Sequence, residues 1–130
     1  MCGCPEIKLG VFPPVLAALG PWRLGGALSD RLVLTGETLS GAELKPIAVV
    51  LEGADPFAQL VEWYRKGPAK TSAAALRIAT EAVRAGSAPL LDARLDELEK
   101  LYVDRVLRSH DGNEGIEAFI ARRPPVWEDA

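Results

Sequence analysis

The chain has 130 residues, enough for one domain with a modest core. Hydrophobic residues make up 48% and charged residues 25%, and the formal net charge is -3, which excludes a disordered chain. Lys and Arg are scattered, so no basic stripe points to nucleic acid. The longest apolar runs, Val11–Leu19 and Ile47–Leu51, are too short to cross a membrane.

Met1-Cys2-Gly3-Cys4 lacks the charged-then-apolar layout of a signal peptide, so a cytoplasmic location is expected. Cys2 and Cys4 flank one residue and cannot easily bridge each other. A metal site there would need two more ligands, and the one histidine, His110, is remote. Two thiols in a reduced compartment, with no metal, is the expectation.

Pro5 to Pro14 mixes apolar residues with three prolines and is expected to be an extended loop feeding a helix near Val15. Gly20-Pro21 is expected to interrupt that helix. A second helix should run from about Ala27 to Leu34 and stop at Gly36, a natural C-cap. Ser40 to Lys45 reads as one short helical turn. Ile47–Leu51, bounded by Pro46 and Gly53, is the best strand candidate.

From Asp55 the pattern is helical. Asp55-Pro56 is a good start, and Phe57, Leu60, Val61 and Tyr64 follow at helical spacing. Gly67-Pro68 ends that helix. Thr71 or Ser72 opens the next, with Leu76, Ala79 and Val83 on one face and Gly86 as its stop. A long helix should span about Pro89 to Arg108 with Leu91, Leu95, Leu98 and Tyr102 as its seam. Asp111 to Glu114 offers a capping box for a last helix, which Pro124-Pro125 ends.

One apolar strand cannot form a sheet, because its backbone groups need partners. Either Ile47–Leu51 is not a strand or its neighbours lie in another chain. The expectation is that a segment N-terminal to this chain is missing.

Among the polar residues, Glu6 stands out. It sits in an apolar, proline-locked segment, and partial desolvation of a carboxyl favours the neutral acid and suits it to proton transfer. The competing reading is a cap or an ion-pair partner of Lys8. His110 sits just before a helix start, next to Asp111, and reads as a helix-entry residue. The acidic cluster Asp92, Asp96, Glu97 and Glu99 reads as a solvated helix face.

Several segments resemble one family. Pro5-Glu6-Ile7-Lys8-Leu9-Gly10-Val11-Phe12-Pro13 is similar to a signature of the enoyl-CoA hydratase/isomerase (crotonase) superfamily. Leu32-Val33-Leu34-Thr35-Gly36 resembles its Leu-Thr-Gly segment, and Ser40-Gly41-Ala42-Glu43 stands at its short helix. Asp111 to Phe119 and Arg122-Arg123-Pro124-Pro125-Val126-Trp127 resemble its C-terminal motifs. The matches keep the family's order over nearly all of the chain. Lys8 to Pro14 and Leu101-Tyr102 look most like the branch that hydrates cyclic dienoyl-CoA thioesters in anaerobic aromatic degradation.

The resemblance implies the C-terminal half of a ClpP/crotonase-like fold: mainly α with a small β contribution, an incomplete spiral sheet and a helical oligomerisation region. Residues 1–53 would be the end of the spiral core with the catalytic-glutamate loop, and 54–130 the helical assembly and CoA-contact region. It also implies a catalytic role for Glu6, as the acid that protonates the α carbon during hydration. Arg122 would reach the CoA of a neighbouring subunit. Val103 would stand near an adenine contact that is usually aromatic.

Coenzyme A would enter as part of the thioester substrate, with no tightly bound cofactor. The partners would be an N-terminal crotonase half or a full-length homologue, in a trimer-based homo- or hetero-oligomer. The family's oxyanion hole and first catalytic glutamate lie in the N-terminal half. An oxyanion donor contributes a few kcal/mol to transition-state stability, so the isolated chain is expected to be inactive. The alternative is a non-catalytic, crotonase-derived oligomerisation or binding module.

Overall fold

The computed structural model describes residues 1–130, apart from the side chains of Ala88 and Pro89. Among the described residues two strands and seven α-helices follow one another: β1 (Cys2–Gly3), α1 (Pro14–Arg23), α2 (Gly26–Thr35), β2 (Thr38–Leu39), α3 (Gly41–Leu44), α4 (Pro56–Lys66), α5 (Ala73–Ala85), α6 (Ala88–Leu101) and α7 (His110–Ala121). The fold is therefore mainly helical with a small β contribution, as expected. It divides into two compact units, residues 1–39 with 90–130, and residues 40–89.

In the first unit, β1 and β2 pair antiparallel, with Cys2 opposite Leu39 and Gly3 opposite Thr38. Pro5–Leu9 is a 3-10 helix, not the extended loop expected. Pro5 at its start loses no backbone bond, and Gly10 closes it in the left-handed conformation at φ 70°. The helix from Pro14 also departs from expectation, because it continues through Gly20-Pro21 to Arg23. A proline inside a helix costs about 3 kcal/mol. Packing of α1 on α2 offsets this: Ala18 and Gly20 are buried, and Gly20 lies directly against Ser29.

Helix α2 ends as expected at Gly36, φ 60°, whose N–H donates to the Leu32 carbonyl. The buried core of this unit is Val11, Ala18, Ser29, Leu32, Leu39, Leu98 and Ala118. The expected seam of α6 points inward: Leu98 is buried, Leu91, Leu95 and Tyr102 are half-buried, and the residues between them are exposed. At Tyr102 the α-helix gives way to a π-helical turn, Tyr102–Val106. Tyr102 meets Phe12 edge to face, with ring centroids 5.4 Å apart.

Helix α7 opens at Ser109, whose hydroxyl accepts from the Gly112 N–H at 3.0 Å. The expected cap was Asp111, two residues later. That carboxylate is used elsewhere, as described below.

In the second unit, Ser40 and Glu43 form a reciprocal capping box around α3, and the Asp55 and Ser72 side chains cap α4 and α5. Such a cap contributes about 1 kcal/mol. The strand expected at Ile47–Leu51 does not form. Ile47 and Ala48 instead donate to the Leu44 carbonyl in a turn, and Ile47 and Val49 stay exposed. No partner strand lies beside them among the described residues, so an extended conformation there would leave backbone groups unpaired. The apolar faces of α4 and α5 are open: Phe57, Leu60, Tyr64, Leu76, Ile78 and Val83 are all exposed. Among the described residues no helix is long and apolar enough to cross a membrane.

Candidate active site

Glu6 lies in the first turn of the 3-10 helix Pro5–Leu9. Its Oε2 is buried and has no hydrogen-bond partner among the described residues. A buried, unpaired carboxyl oxygen is costly and uncommon in a native fold, so its presence calls for a reason. The side chain lines a concave pocket of about 330 Å³ together with Cys4, Pro13, Pro14, Val15, Leu16 and Leu19. Glu6 is the one acidic side chain among the residues that line it. An apolar pocket with one convergent acid is the arrangement that general acid–base chemistry needs.

Three of the sequence motifs meet at this turn. Gly36, at the end of α2, faces its underside. A Cβ there would stand 2.9 Å from Ile7 Cγ2 and 3.3 Å from Pro5 Cα, and the positive φ disfavours a side chain as well. Gly115, in α7, lies against the Leu9 carbonyl with no room for a methyl group. The Leu-Thr-Gly and Glu-Gly segments thus serve one purpose. They let two helices approach the backbone that carries Glu6.

The Cys4 thiol shares the pocket. Burial pushes it up from its ordinary value, and the nearby Glu6 carboxylate and Cys2 act in the same direction. It is held as a neutral thiol and packs as a small apolar group. Among the described residues no cluster of three or more His, Cys, Asp and Glu side chains is placed to hold a metal ion.

The segment after α7 folds back on the helix start. Glu114 takes both terminal nitrogens of Arg123 in a fork, and its Oε1 also accepts from the Val126 N–H at 2.8 Å. The Arg123 guanidinium and then the Val126 N–H hold the Glu114 carboxyl down at about 2. Asp111 accepts from the Glu128 and Asp129 N–H groups at 2.8 and 2.9 Å, and from the His110 ring at 3.1 Å. These bonds lower the Asp111 carboxyl and raise the His110 imidazole.

Arg122 occupies the C-cap of α7 in the left-handed conformation, φ 53°, and its side chain is exposed. It is not among the residues lining the Glu6 pocket, so the structure does not bring the two sequence-predicted residues together. Val103 lines a separate shallow pocket of about 290 Å³ with Asp96, Glu99, Lys100 and Asp104. Sequence reasoning missed Val15, Leu16 and Leu19 as walls of the Glu6 pocket. The signal was present, since they fall on one face of the helix that follows the prolines.

The fold defines the class first. A solved enoyl-CoA hydratase from Mycobacterium avium subsp. paratuberculosis K-10 superposes with a TM-score of 0.77 at 25% identity, over 98% of this chain and 52% of that one. The chain thus has the fold of about half of a crotonase-type enzyme. Residues 1–130 match the enoyl-CoA hydratase/isomerase family throughout, and the chain belongs to it. It is 38% identical over 128 residues to the cyclohexa-1,5-dienecarbonyl-CoA hydratase of Thauera aromatica, covering 98% of this chain and 50% of the relative. It is 29% identical over 130 residues to a probable enoyl-CoA hydratase of Bacillus subtilis (strain 168), covering 97% and 50%. The chain spans about half the length of these relatives.

Proposed function

We propose that this chain supplies the Glu6-bearing part of an acyl-CoA hydratase site, which adds water to an α,β-unsaturated acyl-CoA thioester. The observation that carries this reading is the buried, unpaired Glu6 Oε2 in an apolar pocket. During hydration the Glu6 carboxyl would deliver its proton to the α carbon while a water adds through its oxygen to the β carbon and gives up a proton to the first carboxylate, which the other segment supplies. In the reverse direction the carboxylate would take that proton back. The apolar wall from Pro13 to Leu19 would seat the acyl group and exclude bulk water.

The enolate-like oxygen that develops on the thioester needs donors aimed at it. In this reading a segment matching the other half of the relatives supplies those donors and the first carboxylate. A cyclic dienoyl group is the favoured acyl substrate, on the 38% identity to a hydratase of that name. The exposed Arg122 guanidinium would meet CoA in a neighbouring subunit. The open faces of α4 and α5 fit an oligomer, and the cytoplasm is the expected compartment.

The test is Glu6→Gln in the complex with the complementary half. Turnover should fall by about 10²–10⁴, the range typical of lost general acid–base catalysis, with assembly unchanged. Unaltered turnover would remove Glu6 from the mechanism. Hydration by the wild-type chain alone would show that it needs no second segment.

A further inference from the structure

The Glu6 turn has a third support besides Gly36 and Gly115. The Trp127 indole lies across both Gly10 and Gly115. A Cβ on Gly10 would stand 3.2 Å from its Cζ3, and one on Gly115 3.0 Å from its Cη2. Gly10 is the residue that closes the 3-10 helix carrying Glu6. The indole therefore covers the end of that turn where it joins α7.

Trp127 does not reach this place by burial alone, since it is 43% exposed. Bonds on either side hold it there. Before it, Glu114 grips Arg123 and the Val126 N–H; after it, Asp111 takes the N–H groups of Glu128 and Asp129. Two carboxylates from the first turns of one helix thus bracket a single aromatic residue. Charge-assisted bonds of this kind are stronger and more directional than neutral ones. An ordinary surface tail would not need so many.

We infer that Trp127 is a positioning residue for Glu6, pressed onto Gly10 and Gly115 by the Glu114 and Asp111 latch so that the turn holds the carboxyl in its pocket. The consequence for catalysis rests on the proton-transfer role proposed for Glu6. The positioning itself does not.

The experiment uses the full chain with Trp127→Ala, Trp127→Phe and Glu114→Gln. Amide hydrogen exchange is followed at Gly10 and Val11, whose N–H groups bond Ile7 and Glu6 carbonyls, and at Gly36 as a reference. The Glu6 carboxyl carbon resonance is read alongside. Trp127→Ala should speed exchange at Gly10 and Val11 by about tenfold or more while Gly36 keeps its protection, and should move the Glu6 resonance. Glu114→Gln should do the same more weakly, and Trp127→Phe should restore most of the protection.

Unchanged exchange at Gly10 and Val11 overturns the inference. So does an equal rise at all three amides, which would mark general destabilisation. If the turn loosens as expected but hydration by the assembled enzyme is untouched in kcat, KM and pH profile, the positioning stands and the catalytic role of Glu6 fails.

Discussion

Gly115 sits against the Leu9 carbonyl with no space between them for a methyl group. The contact fastens α7 to the turn that carries Glu6, across more than a hundred residues of chain. Gly115→Ala would favour the helix by up to about 1 kcal/mol through propensity. The added carbon would also have to push back a backbone carbonyl on one side and the Trp127 ring on the other. Overpacking of this kind costs about 1–3 kcal/mol, so the variant should be less stable, with a lower urea midpoint and an unchanged slope.

The fork between Glu114 and Arg123 makes an acid-sensitive support. The carboxyl is held at about 2 in the folded chain against an ordinary 4.5. A depressed folded value means the contribution is complete above the unfolded value. It is then lost as pH falls through the folded one. Thermal stability should therefore decline between about pH 4.5 and 2. Glu114→Gln should be less stable at neutral pH and show a shallower decline. An equally steep acid limb in the variant would assign it to other carboxylates.

His110 works with the opposite sign. Its bond to Asp111, with Glu128, Asp111 and Glu114 as nearby negative charges, raises the imidazole above its ordinary 6.5. That contribution is complete below pH 6.5 and is lost as pH rises through the folded value. The ring resonances should titrate with a midpoint above 6.5, and Asp111→Asn should bring the midpoint down.

The edge-to-face pair of Phe12 and Tyr102 ties the segment after the Glu6 turn to the end of α6. A double-mutant cycle with Phe12→Leu and Tyr102→Leu should return a coupling of about 0.5–1.5 kcal/mol beyond the area lost. Purely additive losses in denaturant would mean that the rings only share a surface.

Much of the fold was legible locally. Helix ends at Gly36, Ser40, Asp55 and Ser72 fall where short-range chemistry puts them, because a cap is completed by residues a few positions away. Glu6 could be singled out because an acid among prolines and apolar residues is conspicuous in one dimension. The seam of α6 followed from spacing alone.

Tertiary structure decided the rest, wherever the competing terms lay far apart in the chain. Pro21 stays inside α1 because Gly20 meets Ser29. Ile47–Leu51 forms no strand, and none stands beside it among the described residues. Asp111 yields the cap to Ser109 because the backbone of residues 128 and 129 claims its carboxylate. The sequence by itself determined the helix ends at Gly36, Ser40, Asp55 and Ser72 and the apolar seam of α6. Only folding could bring Gly36, Gly115 and Trp127 to the same turn, because each contact is a balance between backbone freedom and close packing settled in three dimensions.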